Sequence, residues 1–422
     1  MPIGLRLPGP EPATLQRLID EDALGQLIAR SGRMRELATE GDDVKLDWID
    51  GVELALAHPE RLAEVEREAA AIVDAGIRHV IWAGMGGSVQ TVYALWRMGY
   101  TSTGVVKVHP LDCTDPASLN RLLAALAADE GLALPATGAL DPAALRGLLD
   151  RTMMIGVSMG MTSEEPITHL EWFDALLKAA GVADPSTHIQ VMTLPGSYLD
   201  AFARQRGSRM TPIQLDAQNH TPGRMSAPAT RVFLRPAALR LVGDARAAGS
   251  PGGDGRLLAG VLARAQALAG LPTSLDAEAR AGFARTDAFT RLGAWLSDRA
   301  DEGRNKLWVR MPPGWEGFAP WLEQLVEESL GKRGKGLLIF YDQQAPAGGF
   351  GEDVVELEIR AFISHVEGGV RAPVALDLPL DPTGALPGLG EFAALCLGFE
   401  RMVAVFGYLQ GIVFAGQPAV EA

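Results

Sequence analysis

The chain has 422 residues, of which 47% are hydrophobic and 21% charged, and this composition excludes wholesale disorder. With 38 Lys and Arg against 52 Asp and Glu, the formal net charge is −14, so the surface repels nucleic-acid backbones and no nucleic-acid partner is expected. The length exceeds one ordinary core and predicts two domains. The two cysteines, Cys113 and Cys396, are too few for a disulfide framework, and their apolar surroundings predict buried free thiols.

No segment has the pattern expected of a signal peptide or a membrane span. The first residues lack a basic stretch followed by an apolar one. The most apolar segment, residues 402–416, is interrupted by Tyr408 and Gln410 and is too short to cross a bilayer. We therefore expect a cytoplasmic protein with no membrane partner.

The first half of the chain alternates short apolar runs with helical patterns. Residues 10 to about 75 carry apolar residues at helical spacing, and we expect these helices to pack around the first sheet. Of the later predicted helices, one ends at Trp96, one begins at Asp115-Pro116 and one spans 164–180. The alternation predicts a parallel, doubly wound sheet. Its predicted strands are His79–Ala83, 105–108, 153–157 and 189–192.

The second half repeats this alternation after a helical region over 236–292. A loop is predicted at 249–253. The predicted fold class is α/β, with two doubly wound parallel-sheet domains of three α/β/α layers. The predicted boundaries are 1–70 for an N-terminal helical segment, 71–225 for the first domain and 226–422 for the second. The predicted elements of the second domain are strands at Lys306–Arg310, 337–340 and 374–376 and helices over 318–330 and 389–413.

Two segments at predicted strand ends suit an anionic ligand. Residues 84–88 (GMGGS) link a strand to a helix, and their glycines allow close backbone approach to a ligand, although a plain tight turn is an alternative. The second segment, residues 158–166, offers the hydroxyls of Ser158, Thr162 and Ser163. Such hydroxyls suit a phosphate at the carboxyl edge of a sheet. The alternative is helix capping by Thr162 or Ser163.

Two further segments contain acid–base residues. Residues 323–336 place several carboxylates near a helix end, where a solvated face with a glycine cap is the alternative interpretation. His365 lies in the segment 363–370, and a structural histidine is the alternative there.

Taken together and in this order, these segments resemble the glucose-6-phosphate isomerase family, which is built from two sugar-isomerase-type α/β domains. The run IWAGMGGSVQT is similar to its GIGGS turn, and SMGMTSEEP is similar to its SKSGTTTEP phosphate loop. NHTPGRMS resembles the GGR-S segment that opens the second domain, and LEQLVEESLGKRGKG resembles the segment with the catalytic glutamate. AFISHVEGGV resembles the histidine segment, and the tail GYLQGIVFAGQPAVEA resembles GINPFDQPGVEAYK. The resemblance runs from about residue 77 to the C-terminus.

The resemblance implies a role for each matching residue. Glu328 is implied as the catalytic base, and Arg224 as a residue near the reacting C1 and C2 atoms. His365 is implied to assist ring opening from the neighbouring subunit, which implies a homodimer. No metal or other cofactor is implied. The residues implied to bind the sugar phosphate are Gly87, Ser88, Ser158, Thr162, Ser163 and Gln417.

The sequence also departs from the family pattern. Met159 stands where the family has the lysine of the phosphate loop, and Pro222 replaces the first glycine of Gly-Gly-Arg. The family's catalytic lysine follows the tail motif, and the sequence ends at Ala422 before that position. Lys332 and Lys335 are interpreted as solvated loop residues rather than substitutes.

The predicted function is the interconversion of glucose 6-phosphate and fructose 6-phosphate through a cis-enediol. Two alternatives stay open at this point. One is a non-catalytic protein that binds a sugar phosphate, and the other is an isomerase of a related phosphosugar.

Overall fold

The computed structural model describes residues 2–132, 141–159, 163–216, 221–342, 344, 349–361, 374–379 and 388–416. The chain divides into two compact units. Unit 1 comprises Met1–Ala57, His220–Pro228 and Ala259–Ala422, and unit 2 comprises His58–Asn219 and Ala229–Leu258.

The N-terminal part of the chain and unit 2 contain the following elements. Before residue 58 these are β1 Gly4–Arg6, α1 Ala13–Asp20, α2 Ala23–Ile28, α3 Gly32–Leu37, β2 Thr39–Glu40, β3 Asp43–Val44 and α4 Gly51–Ala57. Unit 2 contains α5 Pro59–Asp74, β4 His79–Ala83, α6 Gly87–Arg97, β5 Lys107–Leu111, α7 Pro116–Asp129, α8 Pro142–Leu149, β6 Thr152–Ser158, α9 Glu165–Ala179, β7 Ile189–Thr193, α10 Tyr198–Arg206, β8 Arg209–Pro212 and α11 Arg231–Ala247.

The remaining elements form most of unit 1, and the unit boundary falls within the first of them. They are α12 Arg256–Ala269, α13 Ala277–Thr286, α14 Ala288–Asp301, β9 Lys306–Arg310, α15 Ala319–Leu330, β10 Leu338–Phe340, β11 Val354–Ala361, β12 Val374–Leu378 and α16 Leu389–Gln410.

Unit 2 is built on a parallel sheet with the strand order β5-β4-β6-β7-β8. The strands β4, β6 and β7 are buried along their whole length, as expected of central strands covered on both faces. Ile81 and Ala83 of β4 pack with Phe173 of α9 in one core cluster. Side chains alternate along a strand, so Val80 and Trp82 point to the opposite face, and both are buried.

Unit 1 contains the second sheet, with the order β1-β12-β11-β9-β10. The strands β9 to β12 are parallel, and β1 adds to β12 as an antiparallel edge strand. Helix α16 packs against α14 and α15. By length and composition α16 could cross a membrane, with a mean hydropathy of 1.5 over 18 residues, but this window is entirely buried inside the protein, like the core helix of many globular domains.

The structure confirms the predicted α/β class, since both five-stranded sheets are parallel apart from β1 and alternate with helices, whereas β2 and β3 form a separate two-stranded antiparallel sheet. It corrects three local predictions. Residues 1–57 belong to unit 1 rather than packing around the first sheet, because β1 pairs with β12. The strand expected at 105–108 begins at Lys107 and continues to Leu111. Cys113 is exposed rather than buried, whereas Cys396 is buried as expected.

Candidate functional site

The glycine-rich turn in unit 2 connects β4 directly to α6. Gly86 has φ 58° and ψ −132°, a backbone conformation that side chains disfavour and glycine adopts easily. This turn lets α6 begin at Gly87, immediately after the carboxyl end of β4. The indole nitrogen of Trp82 donates to the carbonyl oxygen of Ser88 at 2.8 Å, which fixes the first turn of α6. The first backbone N–H groups of α6 therefore lie at this edge of the sheet.

The hydroxyl segment begins at the same sheet edge. Strand β6 is the parallel neighbour of β4 and ends at Ser158, so the two loops emerge side by side. Ser158 is buried, while the neighbouring Met159 is half-buried and uncharged. Ser163 stands two residues before α9. In unit 2 the structure thus brings Gly87, Ser88, Ser158 and Ser163 to one edge, whereas Thr162 lies outside the described residues.

Three polar side chains at this edge were missed by the sequence analysis. Thr193 ends β7, and its hydroxyl donates to the carbonyl oxygen of Ser158 and lies 2.8 Å from the hydroxyl of Ser197. The Tyr198 hydroxyl donates to the carbonyl oxygen of Ser163, and burial raises the pKa of this phenol. These contacts tie the hydroxyl segment to the end of β7. The signal that could have revealed Thr193 was a hydroxyl residue directly after the fourth predicted strand, 189–192.

Arg224 is the centre of the polar site in unit 1. It lies in a 3₁₀ turn over Gly223–Met225 and is only 4% exposed. Its Nε donates to the hydroxyl of Ser329 at 2.6 Å, and its Nη1 donates to Oε1 of Glu328 at 3.2 Å. Its Nη2 faces the carbonyl oxygens of residues 414–416 at 2.6, 2.9 and 3.1 Å. Burial lowers the pKa of the guanidinium, whereas the carboxylates of Glu328 and Glu40 raise it.

Glu328 occupies the last turn of α15, and its side chain is 26% exposed. Its Oε2 accepts a hydrogen bond from Nε2 of Gln324 at 3.1 Å, one helical turn earlier. Both carboxylate oxygens therefore have a defined partner. The carboxylate is oriented by Arg224 and Gln324 while part of it stays accessible to a ligand.

Lys332 is the second cation beside this carboxylate. Contrary to the expectation of a solvated loop residue, its ammonium donates to the carbonyl oxygens of Ser329, Val413 and Gly416. Burial, followed by the charge of Arg224, lowers its pKa to about 8, and Glu328 and Glu40 act in the opposite direction. Lys335 is exposed, as expected, and donates to the carbonyl oxygen of Gln410 at 2.8 Å.

The predicted site residues that the structure describes therefore form two groups, one in each unit, and the remaining ones lie outside the described residues. Unit 1 holds Arg224 and Glu328 in direct contact, and unit 2 holds the glycine-rich and hydroxyl loops. His365 and Gln417 lie outside the described residues, as Thr162 does. Among the side chains that the structure describes, no group of three or more His, Cys, Asp or Glu residues is arranged to hold a metal ion.

Comparison with known proteins finds structures of similar fold but no matching sequence family. No family model and no curated protein matches the sequence. Among solved structures, a hypothetical protein from Thermus thermophilus is 22% identical with a TM-score of 0.63, and the match covers 99% of this chain and 97% of that chain. A glucose-6-phosphate isomerase from Chlamydia trachomatis is 14% identical with a TM-score of 0.64, over 96% of this chain and 83% of that chain.

These similarities show a shared fold, which extends over nearly the whole chain. They confirm the prediction of two sugar-isomerase-type α/β sheets. Because the identities are low, the activity of the structural neighbours is not transferred to this chain on similarity alone.

Proposed function

We propose that this protein is a phosphosugar isomerase that interconverts glucose 6-phosphate and fructose 6-phosphate through a cis-enediol. The observation that carries the proposal is the 3.2 Å contact between Nη1 of Arg224 and Oε1 of Glu328. The resemblance to the glucose-6-phosphate isomerase family assigned both residues to one active site, although 104 positions separate them. The fold shared with a glucose-6-phosphate isomerase is consistent with this assignment.

Glu328 is the proposed base. An aldose–ketose isomerisation moves one proton from C2 to C1 and a second proton from O2 to O1. A single carboxylate can carry out the carbon transfer by removing the proton from C2 and returning it to C1. This step needs no redox cofactor. A positioned base of this kind contributes typically ~10²–10⁴-fold to the rate. The partial exposure of Glu328 and its two fixed hydrogen bonds suit a base that must meet a bound carbon acid in one orientation.

Arg224 is proposed to act through its fixed charge. Negative charge develops on the sugar oxygens in the enediolate, and a cation held in a water-poor environment stabilises it more strongly than a solvated one. The guanidinium is buried and its N–H groups are already engaged by protein acceptors. No reorganisation of this cation is then required when the charge forms.

The sugar phosphate is proposed to bind through the loops of unit 2. Ser158, Thr162 and Ser163 are the proposed ligands of the phosphate, and Gly87 and Ser88 are proposed to line the sugar. The helix N-termini of α6 and α9 at this sheet edge suit an anion.

As the resemblance implies, we also propose a homodimer in which His365 reaches the neighbouring site and Gln417 contacts the substrate. Light scattering during gel filtration measures the oligomeric state.

The test compares two substitutions on one helix. Glu328→Gln removes the proposed base, so kcat for glucose 6-phosphate isomerisation in a coupled assay should fall by ~10²–10⁴-fold. Glu327→Gln is the matched control, because Glu327 accepts from the backbone N–H of Ile339 at 2.8 Å and glutamine can accept the same bond. The control should keep its activity within about twofold. Equal rates for Glu328→Gln and the unmodified protein would exclude this mechanism.

A second candidate is a non-catalytic sugar-phosphate-binding protein. The observation that favours it is Met159, which puts an uncharged side chain beside Ser158 where the family has a lysine. Loss of a charge-assisted hydrogen bond of about 1.5–3 kcal/mol weakens phosphate binding about tenfold to a hundredfold without abolishing it. Calorimetric binding of a panel of phosphosugars, with no turnover of any, would support binding alone. Turnover of a different phosphosugar would instead identify a related isomerase.

A further inference from the structure

Lys332 uses its whole hydrogen-bonding capacity on backbone carbonyl groups. Its ammonium has three N–H donors. They point to the carbonyl oxygen of Ser329 at 3.0 Å, that of Val413 at 2.6 Å, and that of Gly416. Ser329 belongs to the end of α15, whereas residues 413–416 follow α16. The lysine therefore joins the C-terminal end of α15 to the 413–416 segment.

The 413–416 segment is held by groups that are far away in sequence. It forms no helix or strand, so its backbone groups need partners from elsewhere. The N–H of Phe414 donates to the carbonyl oxygen of Leu37 at 2.9 Å. The carbonyl oxygens of this segment accept hydrogen bonds from Arg224 and Lys332, and both cations donate to the carbonyl oxygen of Gly416. The two cations thus share the carbonyl oxygen of Gly416 and otherwise bind different acceptors.

We propose that Lys332 is a positioning residue for the Arg224–Glu328 pair. Lys332 fixes the 413–416 segment, the carbonyl groups of that segment fix the Arg224 guanidinium, and the guanidinium orients the Glu328 carboxylate. Its effect on Glu328 thus passes through Arg224 rather than through contact with the substrate. The kinetic part of this inference rests on the proposed function, whereas its structural part does not.

The structural part is tested by hydrogen exchange in the full-length protein. Lys332→Met removes all three donors, so amide exchange in the C-terminal peptide that contains residues 413–416 should become faster by about tenfold or more. Lys332→Arg keeps a cation with several N–H donors and should restore most of the protection. Lys335→Met is the matched control, because the Lys335 ammonium donates to the carbonyl oxygen of Gln410 at the end of α16, and it should change the exchange by less than about twofold.

The kinetic part is tested by the same variants in the glucose 6-phosphate assay. A disoriented base affects the chemical step, so Lys332→Met should lower kcat by about tenfold or more while KM changes less than about threefold. Lys332→Arg should recover part of kcat, and Lys335→Met should keep both constants. If Lys332→Met does not fold, Lys332→Gln retains two donors and should show an intermediate effect.

The outcomes separate this inference from the proposed function. Unchanged exchange in Lys332→Met would overturn it, and so would faster exchange with an unchanged kcat. If the unmodified protein has no isomerase activity but exchange responds as expected, the proposed function fails while the structural role of Lys332 stands.

Discussion

Glu400 is an acidic side chain in the middle of α16 with no described partner. The residue is completely buried, and neither carboxylate oxygen has a hydrogen-bond partner among the described residues. Burial raises the pKa of this carboxyl group well above its ordinary value, and the neighbouring Arg401 only partly opposes the shift. The group is therefore protonated in the folded protein at a pH where it is ionised in the unfolded chain.

This raised pKa fixes the sign of a pH effect on stability. Glu400 contributes no penalty below the ordinary pKa of 4.5, and its contribution becomes unfavourable as the pH rises above that value. In the unmodified protein the free energy of unfolding should then decrease by about 1 kcal/mol per pH unit from this group. Glu400→Gln keeps the shape without the titration, so its free energy of unfolding in urea, measured relative to that of the unmodified protein, should increase steadily between pH 5 and 7. Parallel profiles for the two proteins would contradict a raised pKa at this position.

At the scale of elements, α14 and α16 pack closely through two glycines. A Cβ atom added at Gly293 of α14 would lie 2.8 Å from the carbonyl oxygen of Met402 in α16. A Cβ atom added at Gly398 of α16 would lie 2.2 Å from the ring of Phe289 in α14. Each glycine thus accommodates an atom of the opposite helix. Since the atom facing Gly293 belongs to the backbone, it cannot move by a change of rotamer.

The close contact at Gly293 predicts that a glycine-to-alanine substitution destabilises the protein there, whereas the same substitution at an uncrowded helical glycine stabilises it. Gly293→Ala forces the two helices apart, so the free energy of unfolding should fall by about 1–3 kcal/mol. Gly282→Ala in α13 is the matched control, since apart from its chain neighbours and the backbone of its own helix no described atom lies within 4 Å of the added Cβ. Alanine is the better helix former, so this control should be stabilised by about 0.5–1 kcal/mol. Urea unfolding of both variants gives the comparison, and equal stability changes would refute the packing argument.

The elements that the sequence predicted are those with a strong local pattern. The runs that became β4 and β9 were predicted with their exact bounds, since each is short, apolar and flanked by turn residues. β11 was missed although its buried residues alternate with charged ones. β8 was missed because it is a four-residue edge strand that contains a proline. β1 has three residues, and its pairing with β12 is a long-range contact that no local pattern encodes.

The same limit applies to the candidate site. The family resemblance led to Arg224 and Glu328, and the structure places their side chains 3.2 Å apart. Most acceptors around Arg224 and Lys332 are backbone carbonyl groups, which every residue has, so no residue type marks them. Lys332 was interpreted as solvated because a Gly/Lys turn after a helix is usually exposed, but its amine contacts the 413–416 segment, which is distant in sequence.

At the scale of the whole molecule, the other unit contains a pair of histidines in contact, of which His79 is buried and His109 is half-buried. In unit 2, Nδ1 of His79 lies 3.1 Å from Nε2 of His109, and Nε2 of His79 lies 3.2 Å from Oε1 of Glu130. Burial lowers the pKa of both histidines, and the charge of His79 further lowers the pKa of His109 to about 4. Both rings therefore stay largely neutral in the folded protein at pH values where free histidine is protonated.

The histidine pair and Glu400 should consequently give opposite slopes to the pH dependence of stability between pH 4.5 and 6.5. The histidine pair contributes stability that is complete above the ordinary pKa of 6.5 and is lost as the pH falls toward about 4. Glu400 in unit 1 acts in the opposite sense above pH 4.5. His109→Gln retains an amide near the position of Nε2 but does not titrate, so its stability should fall less on acidification from pH 6.5 to 4.5.

A double variant tests whether the effects of the histidine pair and of Glu400 on stability are independent. Relative to the unmodified protein, His109→Gln should gain stability as the pH falls below 6.5, and Glu400→Gln should gain stability as the pH rises above 4.5. Because the two residues belong to different units and share no partner among the described residues, the effects should add within about 0.5 kcal/mol. Urea unfolding of the unmodified protein, both single variants and the double variant at half-unit pH intervals provides the measurement. If the free energy of unfolding of His109→Gln changes with pH in parallel with that of the unmodified protein, other groups, and not the histidine pair, control acid unfolding.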